Sequence, residues 1–238
     1  MPQLSLKTVS VVLLGVFNVR SFTPTALLKS DVLTLSDAVS ADAITILSTK
    51  VSSFEIEGLK VDAQSERIQV DASAPPYIRA ADILNKTLRE NSDFPSKITA
   101  IGVNVNAYYM LDNYEMRDRL GRKLAPIDAW GKWGEQLKKA QALPPDDPGH
   151  SGMMSIVMRL PMPDDRISGH IDVRVEPSSR LKSPEVFIAI NDHYGISPDA
   201  GKASSSDPLA LLEVLETRFD SSVQRAEEIM SSLLEQAK

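Results

Sequence analysis

The chain has 238 residues, of which 42% are hydrophobic and 24% charged, and its formal net charge is −6. That balance belongs to folded chains rather than disordered ones, and the length is enough for one large core or two small ones. There is no cysteine, which excludes disulfides, zinc–thiolate clusters, thiolate-held iron–sulfur centres and cysteine nucleophiles.

Negative charge works against non-specific attraction to nucleic acid or anionic membrane. The expectation is therefore a cytoplasmic protein with no membrane partner, no cofactor and no metal. Aromatic residues make up only 5%, so the core should rest on aliphatic side chains.

Ser5 to Val19 is a β-branched, apolar run. Within it Val9 to Val19, preceded by Lys7, has the length of a signal-peptide apolar core, but no small-x-small cleavage site follows, and the run holds Asn18 and is too short to span a bilayer. A central strand covered on both faces is the better reading. Thr23 and Pro24 then open a short helix, Thr23 as cap and Pro24 at the first helical position. Ser36 to Ala41 reads as a linker or a half-formed helix.

Ala43 to Leu47, Val51 to Ile56, Leu59 to Ala63 and Ile68 to Val70 carry strand-forming residues with partial alternation, and Gly58 marks a turn. An antiparallel meander accounts for them. Ala74-Pro75-Pro76 breaks the sheet. Tyr77 to Glu90 follows as an amphipathic helix, with Ile78, Ala81, Ile83, Leu84 and Leu88 at helical spacing.

Ile98 to Leu111 forms the most distinctive strand. Its odd positions from 101 to 107 are apolar, while Gly102, Asn104 and Asn106 share the other face. Asn104 and Asn106 offer amide donors and acceptors to a peptide backbone or polar ligand, or fasten a neighbouring loop. Glu115 to Leu124 reads as a charged helix carrying Arg117, Arg119, Arg122 and Lys123. Arg119, Arg122 and Lys123 make a candidate phosphate-binding patch beside Tyr108, Tyr109 and Tyr114. Interleaved Asp112, Glu115 and Asp118 weaken its field, so binding of nucleic acid is disfavoured. Pro126 opens a helix bearing Ile127, Trp130, Trp133 and Leu137, which Gly131 and Gly134 weaken.

Pro144 to Gly152 has the composition of an exposed connector. The expected organisation is an α+β part over 1–143, a hinge over 144–152, and a part over 153–238 packed on the first. In this second part Met153 to Leu160, Ile167 to Val175 and Glu185 to Ile190 are strands. Ile171, Val173 and Val175 share one face of the middle strand, and His170, Asp172, Arg174 and Glu176 share the other.

Ser206 or Asp207 can cap a long final helix. Leu212, Leu215, Phe219, Val223, Ala226, Met230 and Leu233 step by three or four residues over roughly 32 Å. Such a seam must dock against its own sheet or against a sibling chain, and pairing of two chains through it would make a homodimer. The whole chain is thus read as α+β, with mostly antiparallel sheet, amphipathic helices and a long C-terminal helix.

The three histidines offer the remaining chemistry. His170 and Asp172 share a strand face, and Asp192 and His193 lie in a turn-like Asn-Asp-His-Tyr-Gly run. Convergence of His170, Asp172, Asp192 and His193 would make a hydrolase or metal site, though no recognised ligand spacing supports one. Phosphate-loop, dinucleotide-binding and nucleophile-elbow motifs are absent. The function expected is therefore non-catalytic: a binding, adaptor or assembly protein that acts as a homo-oligomer, with protein partners. A metal-dependent hydrolase and a nucleic-acid-associated regulator are the alternatives.

Overall fold

The computed structural model describes residues 2–41, 46–47, 50–90, 97–139, 144, 146, 150, 152–162, 167–177, 184–196 and 210–238. Among these residues nine strands form a single sheet: β1 (Gln3–Val16), β2 (Ile46–Leu47), β3 (Val51–Ile56), β4 (Leu59–Gln64), β5 (Arg67–Ala72), β6 (Lys97–Met110), β7 (Ile156–Met162), β8 (Ile167–Pro177) and β9 (Glu185–Ile196). Their order is β2-β3-β4-β5-β1-β6-β9-β8-β7, and every neighbouring pair is antiparallel. The α+β class and the long last helix read from the sequence are both present. The two parts expected on either side of the connector meet in this sheet, where β6 pairs with β9 along eleven residue pairs from Ala100/Gly195 to Met110/Glu185.

Among the described residues six α-helices accompany the sheet: α1 (Pro24–Lys29), α2 (Leu35–Ser40), α3 (Arg79–Glu90), α4 (Tyr114–Leu124), α5 (Gly131–Lys139) and α6 (Ala210–Glu235). Thr23 caps α1 as its sequence implied, its hydroxyl accepting from Ala26 N–H, with Pro24 in the first turn. The segment read as half-formed is a real helix, α2, because Thr34 and Asp37 form a reciprocal capping box. In place of the single helix expected after Pro126 there is a 3-10 turn, Ile127–Trp130, followed by α5. The break falls at Gly131, whose φ of 54° suits glycine. Trp130 and Trp133 stay exposed and meet edge to face.

Helix α6 lies on β6 and β9, and α3 on β5 and β1. Between them and the sheet sits the core: Val9, Val11 and Leu13 of β1, Val103 and Val105 of β6, Ile188 and Ile190 of β9, all buried. The seam of α6 closes over it. Leu212, Leu215 and Met230 are fully buried and Phe219 is 2% exposed, while Val223 and Leu233 pack half-buried at the margin. The seam docks on the chain's own sheet, so pairing of two chains through these six residues is replaced by intrachain packing. The proposed caps at Ser206 and Asp207 lie outside the described residues, as does most of the connector.

Strand β1 is central, fifth of nine, but the described helices cover it on one face only. Its alternate residues Ser10 and Val12 point away from the helices, and Leu14 and Val16 are 40% and 63% exposed. The apolar run looked buried on both sides because Val12, Leu14 and Val16 are as apolar as their inward neighbours. Among the described residues, no helix is long and apolar enough to cross a membrane.

Candidate functional site: the open face of the sheet

Strand alternation turns a second set of side chains away from the helices. The register aligns them in rows that cross the sheet. Glu55 stands beside Lys60, then Asp71, Ser10, Asn104, Asn191, Asp172 and Arg159, one residue from each of eight consecutive strands. An adjacent row runs Gln69, Val12, Gly102, His193 and His170.

Charge is distributed unevenly along these rows. Residues 8–14 of β1, 100–108 of β6 and 187–195 of β9 put hydroxyl, amide, imidazole and apolar groups on this face, and no carboxylate, ammonium or guanidinium group. Charges begin on the flanking strands, where three of the cations are paired with carboxylates and Arg67 and Asp71 bond the Gln69 amide. Lys60 sits 3.1 Å from Asp62, Arg174 is 3.9 Å from Glu176, and Arg159 grips Asp172 with Nε and Nη2, both at 2.7 Å. Gln69 donates to Asp71 at 2.6 Å and accepts from Arg67.

Two contiguous depressions lie on this face. One, of about 410 Å³, is floored by Gly102 and lined by Ser10, Gln69, Asn104, Asn191 and His193 among others. The second, of about 630 Å³, extends over β3 to β5 toward Ser40 of α2, and shares Ser10, Gln69 and Asn106 with the first. Glycine at 102 keeps the floor low: a methyl there would stand 3.1 Å from Asn191 Oδ1 and 3.5 Å from Asn104 Nδ2. Asn191 Oδ1 is buried with no hydrogen-bond partner among the described residues.

The residues singled out from sequence divide between the two faces. Asn104 and Asn106 line the trough. His170 and His193 are cross-strand partners with stacked rings, centroids 4.6 Å apart. Asp172 lies beside them, its Oδ2 3.6 Å from His170 Nε2, but its carboxylate is engaged by Arg159. Those hydrogen bonds hold the Asp172 carboxyl below the ordinary carboxylate range. Burial, then the charges of His170 and Arg159, push the His193 pKa down, against the pull of Asp172.

Asp192 does not join them. The run read as a turn is a continuation of β9 through Ile196, so Asp192 points opposite to His193. It is 2% exposed on the helix side and bonded to Arg225 of α6 at 2.5 Å. The four-residue convergence on which a hydrolase site depended is thereby reduced to His170, Asp172 and His193. Among the described residues no group of three or more His, Asp or Glu side chains is arranged so that it could hold a metal ion.

The basic candidates lie in the helix layer. Arg119 bonds Glu115 at 3.1 Å and the carbonyl of Lys238, and Arg122 and Lys123 occupy the last turn of α4. Arg117 is turned inward and buried against Asp118 at 2.9 Å, while Tyr108 belongs to the sheet and meets Phe187 in a tilted ring contact. Sequence reasoning missed Ser10, Gln69 and Asn191 as members of the site. Strand parity relative to Asn104 would have marked them, but only once the register was known.

Comparison with protein-family models gives no match, and comparison with curated proteins gives none either.

Proposed function

We propose that this chain is a non-catalytic binding protein, acting as a homo-oligomer, that holds an uncharged, hydroxyl-rich ligand of the carbohydrate class in the open-face trough. The observation that carries the reading is the uncharged strip across β1, β6 and β9. Ser10, Gln69, Asn104, Asn106, Asn191 and neutral His193 each donate and accept hydrogen bonds, which matches the dual character of a hydroxyl group. An ionic ligand would demand fixed charges, and the strip has none; on the flanking strands Lys60, Arg159 and Arg174 are each paired with a carboxylate. The trough is open and crosses strands spaced about 4.8 Å apart, a shape that suits a short linear chain.

A test is to titrate the ¹⁵N-labelled protein with neutral malto-, cello- and xylo-oligosaccharides, following the side-chain amides of Asn104, Asn106 and Asn191. Movement of these signals with one neutral sugar, lost in Asn104→Leu, is the expected result. Silence across the neutral panel, or movement with anionic heparin fragments instead, overturns the reading. Hydrolase chemistry draws on the same face, because His170, Asp172 and His193 border the trough. Cleavage of an oligosaccharide during the titration would replace the non-catalytic reading with that one.

A further inference from the structure

Among the described residues strand β7 ends the sheet with nothing paired on its outer side. Its one neighbour in the sheet is β8, and Val157, Met158 and Leu160 are 55%, 65% and 62% exposed. Met158 and Leu160 lie on the helix side, opposite Val173 and Ile171 of β8, while Val157 and Arg159 lie on the open face, opposite Arg174 and Asp172. Free edges in natural sheets are usually guarded by charge, proline, shortness or cover, because unpaired backbone groups template another strand. Here the single charge, Arg159, is turned back onto Asp172. Pro161 stands near the strand's end, leaving five residues before it unguarded.

We infer that β7 pairs antiparallel with β7 of a second copy of this chain, with Met158 on the two-fold axis. This inference rests on the homo-oligomeric part of the proposed function and supplies its interface. The occupant follows from the two edges of the sheet. The opposite edge, β2, offers two described residues, Ile46 and Leu47, against the seven of β7, so among the described residues the full-length match for β7 is β7 itself. Pairing β7 with itself closes a symmetric dimer.

The register follows from side-chain chemistry. Centring on Arg159 would set two guanidinium groups face to face, which is unfavourable. Centring on Leu160 would place Pro161, which has no N–H, opposite Arg159 of the partner subunit and forfeit ladder bonds. Centring on Val157 would draw in Met153, which is buried. Centring on Met158 sets Ile156 against Leu160 and Val157 against Arg159, an apolar row on the helix side and no like-charge pair. Proline in a sheet turns its nitrogen to the free side, so by alternation Val157 and Arg159 also present their backbone groups outward. Met158 then occupies a non-hydrogen-bonded position, where facing Cα atoms stand about 4.5 Å apart.

The absence of native cysteine makes the register directly testable. The mass of the wild-type chain by light scattering at micromolar concentration should be that of a dimer. Met158→Lys, an exposed substitution that places two ammonium groups on the axis, should give a monomer with an unchanged far-UV spectrum. Under mild oxidation Met158→Cys should form a disulfide-linked dimer, because about 4.5 Å lies within disulfide reach. Leu160→Cys alone should not link, whereas Ile156→Cys with Leu160→Cys in one chain should. A monomeric wild type overturns both this interface and the homo-oligomeric reading. A dimer that survives Met158→Lys, or equal linking of Met158→Cys and Leu160→Cys, overturns the β7 interface alone. The oligosaccharide titration is independent of all these outcomes.

Discussion

His193 stacks on His170 across the β8–β9 register, ring centroids 4.6 Å apart and planes 27° from parallel. Two imidazoles at that distance resist carrying two positive charges. Burial is the larger cause and the His170 charge the next, and His193 is therefore harder to protonate in the folded protein than at its ordinary value of 6.5.

The consequence is a loss of stability on mild acidification. Below pH 6.5 the unfolded chain takes up a proton at His193 before the folded chain does, so falling pH favours unfolding until the lowered folded pKa is passed. Asp172 acts in a separate, lower window: its depressed carboxyl contributes stability above 3.8 that is lost as pH falls through its folded value. Urea midpoints measured between about pH 7 and pH 5 should fall more steeply for wild type than for His193→Gln. Parallel curves for the two proteins would show that His193 titrates normally.

Two glycines should respond differently to alanine. At Gly15, where the β1–β6 register shifts, a methyl group would lie 2.0 Å from the backbone carbonyl oxygen of Lys97. Backbone must move there, and Gly15→Ala should cost about 1–3 kcal/mol or more by urea denaturation. At Gly102 the nearest atom is the amide tip of Asn191 at 3.1 Å, which can swing aside. Gly102→Ala should cost no more than about 1 kcal/mol, while weakening any ligand that uses Asn191. Equal losses at both positions would contradict this account of the trough floor.

The same contrast explains what was legible in the sequence. Elements fixed by local chemistry could be read directly: the Thr23–Pro24 helix start, the Glu57-Gly58 turn with both φ values positive, and the alternation of β6 and β8. Properties that depend on long-range register could not. The sequence does not say that Asn104 stands between Ser10 and Asn191, residues 94 and 87 positions away. Nor does composition distinguish a turn from a strand at Asn191 to Gly195, because β6 and β8 hold that polar run extended on both sides. Pairing overrode local propensity there, and with it went the convergence of Asp192 with His193 that a turn would have allowed.

The ion pair beneath the trough gives a prediction on the helix side. Arg225 reaches Asp192 at 2.5 Å, the aspartate being 2% exposed and its second oxygen unbonded among the described residues. Arg225→Met leaves a buried carboxylate without its counter-charge and should destabilise by about 2–4 kcal/mol. Asp192→Asn removes the charge together with the need for it and should cost less. Adding Asp192→Asn to Arg225→Met should recover part of the loss. A double variant whose loss is the simple sum of the two would show that the pair is not coupled.

The seam of α6 supplies the most direct check on how the chain is built. Phe219 is 2% exposed within the core that α6 closes over β6 and β9. Phe219→Ala should cost about 3–5 kcal/mol, from lost transfer energy and the cavity left behind. Leu233→Ala, at the half-buried margin, should cost about 1 kcal/mol. Both losses, taken as differences from wild type, should be the same at every protein concentration, because the seam docks on its own sheet. Met158→Lys should behave in the opposite way, losing stability against wild type only where the wild type is dimeric, since association shifts apparent stability by mass action. A Phe219→Ala loss that grows with protein concentration would place the seam between chains and move the subunit contact from β7 to α6.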